Sequence, residues 1–311
     1  MQKINKFKIT FSQTKLLVGL LVLLVIGISL YSPAFIRPNN LRNILLQISV
    51  AGILTAGMSM VMISGGIDLS IGSLVSFGGC LLAVLLKGGM PALPAALIAI
   101  AVVTACSTAT GAVIAFTKTQ PFIITLGTMS IYKAFALIVS DGADVPAGSF
   151  DWTSKTFLGL PMPIIILIVV FVLMGLLMKF TRFGRTCYQI GSNEAAAFIS
   201  GVSVTKRKIG IYALNGLLVG FTSVMLLSRL GSAMPLMGDG LEMRAIAACA
   251  IGGIALTGGV GNVLSSFLGL LFLGVVQNGL NIVGVPAFYQ YLVNGAIIVI
   301  AVVFSTYNRK K

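Results

Sequence analysis

The stretch VMISGGIDLSIGSLVSFGG, Val61 to Gly79, carries one charged residue, and Asp68 is the only charge between Ile44 and Leu86. Glycine pairs at Gly65–Gly66 and Gly78–Gly79 flank it, and Ser64, Ser70, Ser73 and Ser76 punctuate the run. A long apolar run tolerates a carboxyl group only where other groups satisfy it, because an unpaired buried charge is costly. Working outward, the apolar character persists. Of 311 residues, 57% are hydrophobic and 9% charged, against about 25% charged in soluble domains. Several runs approach the ~20 residues needed to cross a ~30 Å hydrocarbon layer as helix. The alternating ten-residue segments of a membrane β-barrel do not occur. The sequence therefore predicts an all-α polytopic membrane protein, a single transmembrane domain over residues 1–311.

Periodicity predicts about ten spans, near 16–36, 44–64, 71–87, 92–116, 121–139, 162–180, 209–228, 245–257, 262–282 and 287–305. The eighth is too short for a full crossing and is expected to be broken or re-entrant, which a membrane permits only where backbone is buried in protein or lines a cavity. The N-terminal run LLVGLLVLLVIGISL continues into YSPAFIRP with no small-x-small cleavage signal, so it reads as a retained first span. With the N-terminus placed inside, basic residues concentrate on the inner side: Lys3, Lys6, Lys8, Lys15, Lys118 and the 179–208 segment, then Arg309, Lys310 and Lys311. The outer segments hold Arg37, Arg42, Lys87, Lys155, Arg229 and Arg244, and Lys133 falls within a span. This bias predicts cytoplasmic N and C termini. It also accounts for the net charge of +14 without nucleic acid. Small residues one helical turn apart, at Gly52–Ala56, Gly111–Ala115 and Gly216–Gly220, predict close helix packing in lipid.

The sequence excludes several chemistries. It has no histidine, no Gly-Lys dipeptide for a nucleotide-binding loop, and no G-x-S-x-G elbow. Its four cysteines, Cys80, Cys106, Cys187 and Cys249, form no C-x-x-C pair and read as small packing residues. No catalytic residue and no metal site is expected. Proton-coupled carriers use buried ionisable relays, and only Asp68 and Lys133 qualify loosely. A stand-alone carrier or channel is thus the weaker reading, and a path powered by another chain the stronger.

Asp68 supports two readings. It caps the third span after Gly65 and Gly66 end the second, which puts it near the cytoplasmic edge. Alternatively the break lies deeper, and Asp68 and Ser70 line a solute path, as interrupted helices do in transporters. The two agree if the capped break itself faces the path. The longest inner segment, residues 179–208, contains SNEAAAFISG, which reads as a short helix. Ser192 or Asn193 would cap it, Glu194 suits its first turn, and Gly201 would stop it in a left-handed conformation. The helix is poor in charge for one facing only water. A smooth alanine face suits docking into a groove.

At this point a resemblance becomes specific. GSNEAAAFISG resembles the coupling segment of ABC importer permeases. GGIDLSIGSL is similar to the signature of the ribose-type, or monosaccharide, branch, and GLEMRAIAACAIGGIALTGGVGN, Gly240 to Asn262, is similar to a third block of that branch. The blocks occur in family order along nearly the whole chain. The resemblance implies a bacterial cytoplasmic-membrane permease that pairs with a second permease chain, identical or different. Cytoplasmic ATPase subunits would bind ATP and magnesium, and an extracytoplasmic binding protein would deliver a sugar. Carried over by position, Arg185, Glu194, Ala195, Ala196 and Gly201 would belong to the ATPase contact. Asp68 and Ser70 fall in the signature block, and Glu242 falls in the third. The branch commonly has a second acid after that glutamate, where this chain has Met243 and Arg244. A nucleoside or a sugar-like signalling molecule is therefore the alternative cargo.

Two further stretches matter. IGGIALTGGVGN packs Gly252, Gly253, Gly258 and Gly259 into one short segment and predicts a turn or a helix break that moves. Gly65 and Gly66 form the matching break earlier in the chain. Gln277, Asn278 and Asn281 lie at helical spacing in a late span. Either they bond neighbouring helices, or they bind sugar hydroxyls, for which amides supply donors and acceptors. Asn215 and Asn294 are further candidates.

Overall fold

A computed structural model describes residues 13–148 and 150–307. The side chain of Asn294 and the basic residues Lys3, Lys6, Lys8, Arg309, Lys310 and Lys311 lie outside the described residues. The described chain forms twelve α-helices: α1 (Gln13–Tyr31), α2 (Pro38–Ile63), α3 (Ile71–Lys87), α4 (Ala92–Thr117), α5 (Pro121–Val139), α6 (Met162–Phe180), α7 (Arg182–Ser192), α8 (Glu194–Ile199), α9 (Val204–Leu230), α10 (Leu241–Ile251), α11 (Val263–Val283) and α12 (Ala287–Tyr307). By length and composition, seven of them can cross a membrane: α1, α2, α4, α5, α6, α9 and α11. Two small antiparallel pairings complete the fold. Strand β1 (Val145–Pro146) pairs with β4 (Ser232–Ala233), and β2 (Thr156–Phe157) pairs with β3 (Leu160–Pro161).

Helix α2 is the axis of the molecule. From Ile48 to Ile63 every residue is buried, with α6, α9, α10 and α11 packed around it. Gly52 is where Leu167 of α6 and Leu270 of α11 press against its backbone. Helix α9 runs antiparallel to α4, and small residues set their spacing. Gly111 faces the ring of Tyr212, Gly216 faces Ser107 and Thr104, and Gly220 faces Ile100. The Ser107 hydroxyl donates to the Tyr212 carbonyl at 2.7 Å across this seam. The small-residue spacing in α4 and α9 thus marks an actual close crossing.

Several expected boundaries shift for local reasons. Proline at the first helical position starts α2 at Pro38 rather than 44, because the missing N–H costs nothing there. Helix α9 begins at Val204 and carries Lys206, Arg207 and Lys208 in its first turns, where the apolar pattern gives no signal. The eighth expected span, 245–257, is instead the eleven-residue α10, followed by non-helical backbone to Asn262. At about 16 Å, α10 reaches roughly half the hydrocarbon thickness. It stops at Ile251 because α11 crosses close beyond it, with Ser265 and Ser266 against the Gly252 backbone.

Candidate functional site

The break after α2 is built by hydrogen bonding. The Gly66 amide donates to the Val61 carbonyl at 3.0 Å and the Gly65 amide to the Met62 carbonyl at 2.9 Å. This closing motif needs a left-handed residue, and Gly65 supplies it at φ +85°. Asp68 follows, fully buried. Its Oδ1 accepts the Ser70 amide at 3.0 Å and the Ser70 hydroxyl at 2.6 Å. Its Oδ2 accepts the Asn215 side-chain amide of α9 at 3.0 Å. The carboxyl group therefore fixes the turn leading into α3 and ties that turn to a distant helix. Asn215 is the twelfth of 27 residues in α9, so Asp68 sits near mid-height of that helix. The expectation that Asp68 itself caps α3 is corrected: Ser70 holds the cap position, and Asp68 stands two residues before it and anchors it. Ser70 is equally buried. Close by, the buried Tyr212 hydroxyl and Asn215 Oδ1 have no hydrogen-bond partner among the described residues.

The segment between α9 and α10 runs down along α3. Met237 lies against Gly79, the Gly238 amide donates to the Ser76 hydroxyl at 2.9 Å, and Glu242 meets the Gly72 backbone. Glu242 is buried and its Oε1 accepts the Gly240 amide at 3.1 Å. Irregular backbone inside the bundle is thus satisfied by side chains, as a membrane requires. Beside this segment opens a cleft of about 420 Å³ whose polar lining is Gln47 of α2, Asp239, Arg244 of α10, Gln277 of α11 and Tyr291 of α12. Lys133 of α5 reaches across to Asp239 at 2.9 Å, both groups partly exposed. The cleft lies near an amide cluster. Asn278 and Asn40 exchange reciprocal hydrogen bonds at 2.9 and 3.0 Å. Gln290 of α12 donates to Asn281 at 2.9 Å and accepts from Gln277. Asn278 and Asn281 are therefore engaged between helices, while Gln277 also faces the cleft. The Met243-Arg244 pair marks a departure in the sequence, yet its placement on the cleft required the packing of α10.

Residues 179–208 hold two helices where the sequence predicted one. Helix α7 is legible only as an amphipathic turn pattern, burying Gly184, Cys187 and Ile190. Burial pushes the Cys187 thiol up to about 12, with Arg207 opposing the rise, so it stays a protonated packing group. The Asn193 side chain caps α8 by accepting the Ala196 amide at 2.9 Å. Gly201, at φ +83°, ends it, and the Val202 amide reaches back to the Ala197 carbonyl at 3.0 Å. Ala197 packs with Ile190, Val202 and Val204, and Lys208 pairs with Glu194 at 2.6 Å. These contacts fasten α8 to α7 and α9. Ala195 and Ala196 face outward. So do Phe198 and Ile199, 71% and 85% exposed, which sequence reasoning had not singled out. Arg185, Gly201 and Arg207 border a shallow hollow between α7 and the turn that follows α8. The hinge glycines converge as well: the Gly259 amide donates to the Ile63 carbonyl at 2.8 Å, and Gly258 abuts Gly65. Gly252 and Gly253 lie apart from them, at the end of α10.

Comparison with known proteins fits this arrangement. The family described as "Branched-chain amino acid transport system / permease component" matches residues 40–302. The ribose import permease protein RbsC of Bacillus subtilis is 38% identical over 94% of this chain and 91% of its own length. RbsC of Escherichia coli K12 is 38% identical over 96% of this chain and 94% of its own. The L-arabinose ABC transporter permease protein AraH of Azospirillum brasilense is 34% identical over 95% and 88% respectively. No solved structure matches the chain. With sequence likeness over more than nine-tenths of its length and a helical bundle broken at its signature blocks, the chain belongs to the permease family of ABC importers, among its sugar permeases.

Proposed function

We propose that this sugar permease subunit, a multi-pass protein of the bacterial cytoplasmic membrane, works as an unpowered path moved by a partner ATPase that presses on α8. Ten crossings with both termini in the cytoplasm would put 179–208 on the ATPase side as a coupling segment within one 1–311 domain. ATP and magnesium would bind the ATPase chain. A second permease chain, identical or different, would complete the pore, and an extracytoplasmic binding protein would deliver the sugar. The relatives' names, ribose and L-arabinose, favour a monosaccharide of that kind. The cleft beside α10 supplies suitable groups. Gln47, Arg244 and Gln277 offer donors and acceptors to hydroxyls, and Tyr291 offers a ring face. Asp68, Ser70 and Glu242 would act on the path by holding its irregular wall.

The observation that carries this reading is the tip of α8: two alanines, a phenylalanine and an isoleucine exposed on a helix pinned at both ends. Water gives no reason to present them, and a hydrophobic groove on a partner does. Phe198→Asp should lower solute-stimulated ATP hydrolysis of the reconstituted complex by roughly thirtyfold, the loss of one buried aromatic anchor of about 2 kcal/mol. Membrane insertion should be unchanged. Wild-type stimulation in that variant would sink the proposal.

A further inference from the structure

Three segments, far apart in sequence, meet at one end of α2: the end of α2 and its turn at residues 63–66, the end of α7 at residues 191–193, and the non-helical residues 257–261. They meet backbone to backbone. A side chain on Gly191 would overlap the Ile63 carbonyl and come within 2.5 Å of the Gly259 amide. One on Gly258 would lie 2.7 Å from the Gly65 Cα, and one on Gly259 would lie 2.8 Å from the Ser192 Cα. Two hydrogen bonds stitch the junction. The Gly259 amide donates to the Ile63 carbonyl at 2.8 Å, and the Tyr188 hydroxyl of α7 donates to the Gly261 carbonyl at 3.0 Å. Contacts of this kind have no rotamer to yield, so a displacement on one side is passed on rather than absorbed. The α7–α8 unit therefore grips the glycine-rich segment that follows α10, and that segment grips the end of α2, just before the turn held by Asp68.

We propose that Tyr188 and the glycine junction are the transmission between α8 and the path. Tyr188 is the positioning residue that makes the glycine-rich segment, and with it α10 and the cleft wall, follow α8. This rests on the reading of α8 as the ATPase contact. It adds the route by which that contact reaches the two helix breaks. Tyr188→Phe removes only the hydroxyl that holds Gly261. Losing that grip lets the ATPase cycle while the path lags.

The test uses the complete complex, permease with its ATPase and binding protein, in proteoliposomes, reading solute moved per ATP hydrolysed. Wild-type complex must first show solute-stimulated hydrolysis. Its absence would overturn the proposed function, and the link with it. Tyr188→Phe should lower the transport-to-hydrolysis ratio about three- to tenfold, the worth of one hydrogen bond, with hydrolysis within about twofold of wild type. Ser192→Val, which presses a branched side chain on Gly259 and keeps the Tyr188 hydroxyl in the chain, should lower the ratio in the same direction and covers the case of a poorly assembled Tyr188 variant. Tyr132→Phe, which breaks hydrogen bonds between α4 and α5 away from the junction, should leave the ratio unchanged. An unchanged ratio in Tyr188→Phe, or transport and hydrolysis falling in proportion, would overturn the proposal.

Discussion

Asp68 illustrates what a single residue type announces and what it leaves open. Its isolation in an apolar run revealed a structural or functional demand, and its glycines revealed a break. Its partner Asn215 lies 147 positions away, so no local pattern could name it. The hydrogen bonds make a definite expectation. Asp68→Ala strands the Ser70 hydroxyl and amide and the Asn215 amide in a buried setting, which should cost about 3 kcal/mol and lower the melting temperature of the detergent-solubilised protein. Asp68→Asn keeps the acceptor facing Ser70 and should lose less. Loss of transport in Asp68→Ala with unchanged melting would instead point to a direct encounter with solute. The amides at Gln277, Asn278 and Asn281 were legible as a polar stripe, but their engagement with Asn40 and Gln290 depends on how α11 and α12 sit together.

Among elements, α3, α4, α5, α6, α11 and α12 were legible to within about two residues, because burial in lipid and in protein both select the same continuous apolar run, whereas α1, α2 and α9 depart from their expected spans by about five residues at one end. Elements whose character depends on neighbours were not. Helix α7 is short, basic and only half buried, so its pattern is carried by three small or medium residues, Gly184, Cys187 and Ile190. Helix α10 ends where α11 crosses it, a tertiary event. The α4–α9 seam is the clearest case of sequence spacing becoming packing. At Gly216 an added side chain would stand 2.5 Å from the Ser107 Cβ and 3.1 Å from the Thr104 Cα. Gly216→Val should therefore destabilise by about 1–3 kcal/mol through overpacking, read as a lower thermal midpoint. Gly127→Ala on α5, where nothing lies within 4 Å, serves as the comparison and should be neutral or slightly stabilising.

Across the whole molecule, the irregular segments occupy two levels joined by α2. One holds the glycine junction beside α7 and α8, and the other the cleft, the Lys133–Asp239 pair and the amide cluster. Asn40 and Ile63 mark these ends, about 35 Å apart along one helix. A stiff central rod with a cluster of breaks at each end suits a body that rocks rather than one that melts. The exposed Phe198 and Ile199 carry a consequence for the cell as well. On the proposed function, a copy synthesised without its ATPase would bear a greasy beacon in an aqueous compartment, the kind of mark that chaperones and membrane proteases survey. Abundance of this subunit should then track that of its motor. In a pulse-chase experiment the chain should turn over several-fold faster when the ATPase gene is silenced, and Phe198→Ser with Ile199→Ser should lengthen the lifetime of the orphan.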